Sequence, residues 1–163
     1  MKMVCQSYNA RRAKLSAIVM LTLAGVSWPA VAATPAAVAA VNARKANYKE
    51  IGGAFKTIND ELKNSQPDLR TIRPLAREIV ARASGQLKFF PRGSGPQPGL
   101  KTRAKPAIWA AQAEFKKLHG DMLAAAGALQ DAAMRGDLVA ITAARGRLGA
   151  SCKACHDKFR EAE

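Results

Sequence analysis

The sequence predicts an all-α protein, an antiparallel four-helix bundle, and three observations carry that expectation. Apolar residues recur at helical spacing along four separate stretches. No stretch alternates apolar and polar residues as a half-buried strand does. The main turn-forming clusters fall between the four stretches.

In the first helix Val41, Tyr48, Phe55 and Leu62 repeat every seven residues, and Arg44, Ile51 and Ile58 occupy the intervening positions. A second stretch carries Leu69, Ala76 and Ala83 with Ile72, Ile79, Val80 and Leu87. A third carries Ile108, Phe115, Met122 and Leu129 with Ala111, Leu118 and Ala125. Leu138, Ile141, Leu148, Cys152, Cys155 and Phe159 line the fourth. Ser65-Gln66-Pro67-Asp68 separates the first two, and "PRGSGPQPG" makes one longer loop. Gly136-Asp137 reads as a helix stop followed by an N-cap. Abundant alanine favours both helix propensity and close packing. Four helices with mostly short connections form an antiparallel bundle.

The N-terminus has a different grammar. Lys2, Arg11, Arg12 and Lys14 precede an apolar run from Leu15 to about Val26, with no acidic residue. Pro29 and the small residues Ala30 to Ala33 follow. This is the pattern of a secretory leader with an A-x-A cleavage site after Ala32 or Ala33. The run is too short to span a bilayer, which takes roughly 20 residues. Arg11-Arg12 alone is weak ground for a twin-arginine route. Residues 1–33 are therefore expected to be removed on export to the periplasm, leaving 34–163 as one domain.

Removing the leader takes Cys5 with it and leaves Cys152, Cys155 and, beside them, His156 in "ASCKACHDKFRE". A bridge across so short a loop would constrain little. A structural zinc site needs four ligands, and only His119 is added upstream. A thioredoxin-type C-x-x-C opens a helix after a strand, whereas this pair lies near a helix end. C-x-x-C-H is the attachment sequence of one c-type haem: thiols join the vinyl groups and the histidine ligates iron. On a helix, residues at i, i+3 and i+4 share a face, so all three can reach one macrocycle. The bundle is thus expected to hold a covalent haem, with zinc or a redox dithiol as the alternatives.

Arg44 breaks the apolar pattern of the first helix. A buried, unpaired guanidinium is severely costly. It is expected either to meet a haem propionate, which arginine pairs with bidentately, or to snorkel to the solvent edge.

These residues carry a family resemblance. "CKACHDKFR", "FPRGSGPQ…TRAKPAIW" and "NARKANYKEIG" resemble cytochrome c′, the class II c-type cytochromes, over about residues 38 to 160. The attachment motif near the C-terminus makes the likeness specific. The resemblance implies thioethers at Cys152 and Cys155 and His156 as the proximal iron ligand. It places Arg160 beside that histidine and Arg44 against a propionate. Lys45 stands where the family often has glutamine, so the same hydrogen bond is not implied. Phe90 and Trp109 match aromatic positions of the haem pocket, though by pattern alone both read as core. Arg103 falls in the polar stretch that the family folds against the haem edge.

Tyr48 matches the position facing the distal side of the iron, which in this family stays five-coordinate. Low-spin relatives supply a methionine from the first helix. Here the methionines beyond the leader are Met122 and Met134. His119 reads as an ordinary helix-surface histidine. Tyr48, with an ordinary pKa of about 10, is expected to act as a steric gate bearing a hydroxyl rather than as a phenolate ligand.

The chain carries 26 basic and 12 acidic residues, a net +14, and the leader accounts for four of the basic ones. Export and the spread of charge over all four helices argue against nucleic acid. The charge suits an acidic redox partner protein or an anionic membrane surface. The expected function is binding of nitric oxide (NO) or carbon monoxide (CO), electron transfer, or both. The alternative is a six-coordinate, low-spin electron carrier of the same fold. A peroxidase would want a distal histidine, which the first helix lacks, so no enzymatic role is expected. The resemblance also allows a homodimer through the first two helices, whose outer faces here are rich in Lys and Arg.

Overall fold

The computed structural model describes residues 33–162. The predicted leader, with Cys5 and Arg11-Arg12, lies outside the described residues except for Ala33. Five helices follow in order: α1 (Pro35–Glu61), α2 (Leu69–Ser84), α3 (Ala107–Ala110), α4 (Gln112–Arg135) and α5 (Leu138–Phe159). A 3₁₀ turn, Gln86–Phe89, continues from α2. The four long helices form the expected bundle, with α1 on α2, α2 on α4 and α4 on α5. No helix among the described residues is long and apolar enough to cross a membrane.

The caps explain the boundaries. Thr34 accepts from the Ala37 amide at 3.2 Å, and Pro35 opens α1, where its missing N–H costs nothing. Asp68 caps α2 by accepting from the Arg70 amide at 2.9 Å. Gly136, at φ 76°, takes the left-handed turn that ends α4, and its N–H satisfies the carbonyls of Ala132 and Ala133. Asp137 then caps α5 through the Ala140 amide. The two-residue link makes α4 and α5 antiparallel neighbours.

Two apolar clusters fill the interior. The larger joins Ile58, Ile72, Leu129, Ile141 and Leu148, each 1% exposed or less. Burying such side chains stabilises the bundle by about 1.5–3 kcal/mol each. The smaller joins Ile108, Phe115 and Phe159 at the other end, with Phe90 and Trp109 packed on it.

Two expectations are corrected. The third stretch is not one helix, because Ala111 leaves helical geometry (φ −115°, ψ 50°) and separates α3 from α4. Heptad spacing cannot register a one-residue break, because the apolar residues keep their face on either side. Nor is His119 on the surface. It is 7% exposed, and its Nε2 lies 2.9 Å from the Ala83 carbonyl oxygen. A carbonyl only accepts, so Nε2 carries the proton and pins α4 to the end of α2.

Candidate functional site

Cys152, Cys155 and His156 stand on the last two turns of α5, with both cysteines half-buried and His156 the more exposed of the three. The cysteines straddle the seam between the two apolar clusters: Cys152 packs on the larger and Cys155 on the smaller. No disulfide joins them. Burial raises both thiols, and Cys155, with Cys152 beside it, is pushed up to about 11. A redox dithiol works through a lowered thiol pKa, so this environment opposes that use. Among the described residues no group of three or more histidine, cysteine or carboxylate side chains converges as a metal site would.

Across from this pair lies α1. Tyr48 packs on the larger cluster, with its ring edge-on to Phe90 at a centroid distance of 6.5 Å. Phe90 in turn meets Phe115 at 4.9 Å, and Phe115 meets Phe159 at 5.3 Å. Burial raises the Tyr48 pKa well above the ordinary phenol value, and the neighbouring Cys155 adds to the effect. Tyr48 is thus a neutral phenol. The backbones of α1 and α5 approach each other far less than those of the three packed pairs. Tyr48 and the two cysteines lie on the two sides of this more open seam, or slot.

Arg44 is buried, at 3% exposed, and its partners are neutral. Nη1 donates to Ser94 Oγ at 3.0 Å, and Nη2 donates to the Ser94 carbonyl and to Thr102 Oγ1, both at 2.6 Å. Its Cζ also stacks 5.0 Å from the Phe90 ring centre and 5.8 Å from that of Trp109. Snorkelling is therefore corrected: Arg44 stays inside because the loop after α2 folds over it. Burial lowers its pKa, yet a guanidinium remains charged at any working pH. Trp109 Nε1 donates to the Pro91 carbonyl at 3.0 Å and holds the same loop. Lys45 is exposed on α1 and takes no part in this cluster.

The far end of α5 is stitched to the segment before α3. Glu161 N donates to the Arg103 carbonyl at 2.8 Å, and Lys105 N to the Phe159 carbonyl at 2.9 Å. The Arg103 guanidinium donates to the Glu161 carbonyl from Nε at 3.0 Å and from Nη2 at 2.9 Å. Arg160 closes α5 through its N–H to the His156 carbonyl. Partial burial, then the charges of Arg160 and Arg103, hold the His156 imidazole below its ordinary value, which keeps it neutral and able to ligate. Sequence reasoning missed Asn47, Gln86, Ser94 and Thr102. Only the unexplained charge at Arg44 signalled that polar partners had to exist.

The donor set fits a covalently held macrocycle: two thiols one helical turn apart, an adjacent neutral imidazole, and an aromatic wall opposite. Fold and motif together define a helical-bundle c-type haem protein. The chain matches the cytochrome c′ family over residues 39–160 and belongs to it, and the family carries a covalently attached c-type haem. It is 45% identical to the cytochrome c′ of Rubrivivax gelatinosus over 89 residues, which cover 53% of this chain and 69% of that protein. The crystal structure of cytochrome c′ from Thermochromatium tepidum superimposes with a TM-score of 0.74 at 31% identity, over 80% of this chain and 100% of that one. A nitric oxide complex of a cytochrome c prime variant from Alcaligenes xylosoxidans superimposes at 0.71 and 28% identity, over 78% and 97%.

Proposed function

We propose that the chain is exported, processed after Ala32 or Ala33, and works in the periplasm as a c-type cytochrome with five-coordinate haem iron. Cys152 and Cys155 hold the haem, and His156 is the proximal ligand. The haem supplies an iron that cycles between ferrous and ferric states and binds small diatomic molecules. NO or CO is the ligand, and electron transfer the accompanying role. The relative from Alcaligenes xylosoxidans that holds nitric oxide supports the ligand class.

One observation carries the five-coordinate reading: the distal wall offers Tyr48 and no better donor. Met122 is buried in the core and Met134 is half-exposed on the last turn of α4. His119 has committed Nε2 to Ala83. Tyr48 stays protonated and acts by bulk, admitting only small ligands. Partial burial, then Arg160 and Arg103, keep the proximal imidazole neutral, and Arg44, with Phe90 and Trp109, anchors the loop at the haem edge and faces a propionate. With no distal imidazole to move protons, the site binds rather than catalyses.

Absorption spectra of the oxidised, reduced and gas-treated protein test this. A high-spin spectrum that shifts when CO is added supports it. A low-spin spectrum indifferent to CO sinks it in favour of the six-coordinate electron carrier. The basic surface suits an acidic partner protein, and any such association should weaken with salt. A homodimer through α1 and α2 would bring exposed Lys45, Lys49 and Lys56 towards their copies, so raised salt should favour it.

A further inference from the structure

Gln86 opens the 3₁₀ turn after α2 and is completely buried, yet its Nε2 has no hydrogen-bond partner. A buried amide donor left unpaired calls for an explanation. Its orientation is set by Asn47 on α1. Asn47 Nδ2 donates to the Arg82 carbonyl at 3.0 Å and contacts the Gln86 side-chain oxygen Oε1. Because a carbonyl can only accept, the Asn47 atom facing Arg82 must be nitrogen. The same nitrogen faces Gln86, so Gln86 must turn its oxygen towards Asn47 and its N–H groups away.

The residue after Asn47 on α1 is Tyr48. Its hydroxyl makes no hydrogen bond to Gln86 in the structure, but lies near enough for Gln86, Cys155 and Cys152 all to bear on it. The phenol therefore has both a buried, unpaired N–H donor and the two proposed haem-attaching thiols as neighbours.

We propose that Gln86 is a positioning residue for Tyr48: its amide, aimed by Asn47, donates to the phenol oxygen and turns the phenol proton into the slot beside Cys152 and Cys155. The slot then presents one hydrogen-bond donor to a bound small ligand whose outer atom carries negative charge. Such a donor strengthens a ligand that gains electron density on binding and does nothing for one that does not. This rests on the reading of Tyr48 as the distal residue.

The test uses the haem-loaded protein, its Gln86→Leu, Tyr48→Phe and double variants, and CO as the probe. With Tyr8 in the predicted leader, Tyr48 is the sole tyrosine of the processed chain, so its Raman doublet reports one hydroxyl without any gas. The wild type should show a phenol that accepts a hydrogen bond, and Gln86→Leu should lose that signature. In the CO adduct, Gln86→Leu and Tyr48→Phe should raise the C–O stretch alike. Both should release CO about five- to tenfold faster, the loss of one ordinary hydrogen bond. The double variant should add nothing further. A tyrosine signature unchanged by Gln86→Leu, or additive effects in the double variant, would overturn the proposal. If Gln86→Leu does not fold, Asn47→Ala should weaken the signature instead, and no change there would overturn the proposal equally. A wild type that takes up no CO removes the gas-binding reading and its hydrogen-bond donor. The gas-free tyrosine signature tells that failure apart from a failure of the Gln86 contact.

Discussion

Arg44 on α1 grips Ser94 twice, through the hydroxyl at 3.0 Å and the carbonyl at 2.6 Å, so one buried charge orders the whole crossover loop. Arg44→Leu leaves the Ser94 carbonyl and the Thr102 hydroxyl without their donor and should cost roughly 3 kcal/mol. Ser94→Ala should cost about 1–3 kcal/mol. Arg44→Lys keeps the charge but not the fork, and should fall between wild type and Arg44→Leu. Denaturant unfolding measures the losses, and limited proteolysis across residues 91–106 should locate them.

His119 and Ala83 make a second test, this time of coordination. His119→Ala removes the bond that ties α4 to the Ala83 carbonyl, which keeps the Gly85 amide as a partner, and should cost about 0.5–1.5 kcal/mol. Its absorption spectrum should match the wild type. A low-spin wild type that turns high-spin in His119→Ala would instead identify His119 as a distal ligand.

Covalent attachment can be read directly by mass after denaturation. Cys152→Ala and Cys155→Ala should each retain haem through a single thioether. The double variant should release it entirely. Haem retained covalently by the double variant would mean that the proposed attachment residues are wrong.

Acid sensitivity has a local source on α1. Lys56 and Lys63 both hydrogen-bond Asp60 and hold its pKa down to about 2. A depressed carboxylate contributes stability above its unfolded pKa of about 3.9, and loses it as pH falls through the folded value. Asp60→Asn should therefore narrow the gap in denaturant midpoint between pH 5 and pH 2. Added salt should shrink the difference, because all three groups are exposed. Equal pH dependence in both proteins would show that this triad contributes nothing.

The bundle and its attachment motif were legible in the chain because both are local. Val41, Ile51 and Ile58 share a face through helical period alone, and Cys152, Cys155 and His156 through spacings of three and four. Gly136-Asp137 was legible for the same reason, since a stop and a cap are written in adjacent residues. What surrounds the site was decided only by tertiary structure. Arg44 announced a buried charge, but its partners Ser94 and Thr102 lie 50 and 58 residues away in a loop without period. His119 read as a surface residue because nothing nearby reveals that Ala83 sits above it. Asn47 and Gln86 read as ordinary polar residues until folding brought them together across 39 residues. Hydrogen-bond partners are set by direction and distance in three dimensions, and a one-dimensional pattern carries neither. Covalent chemistry and helix faces therefore belong to the sequence, while the polar frame that holds them belongs to the fold.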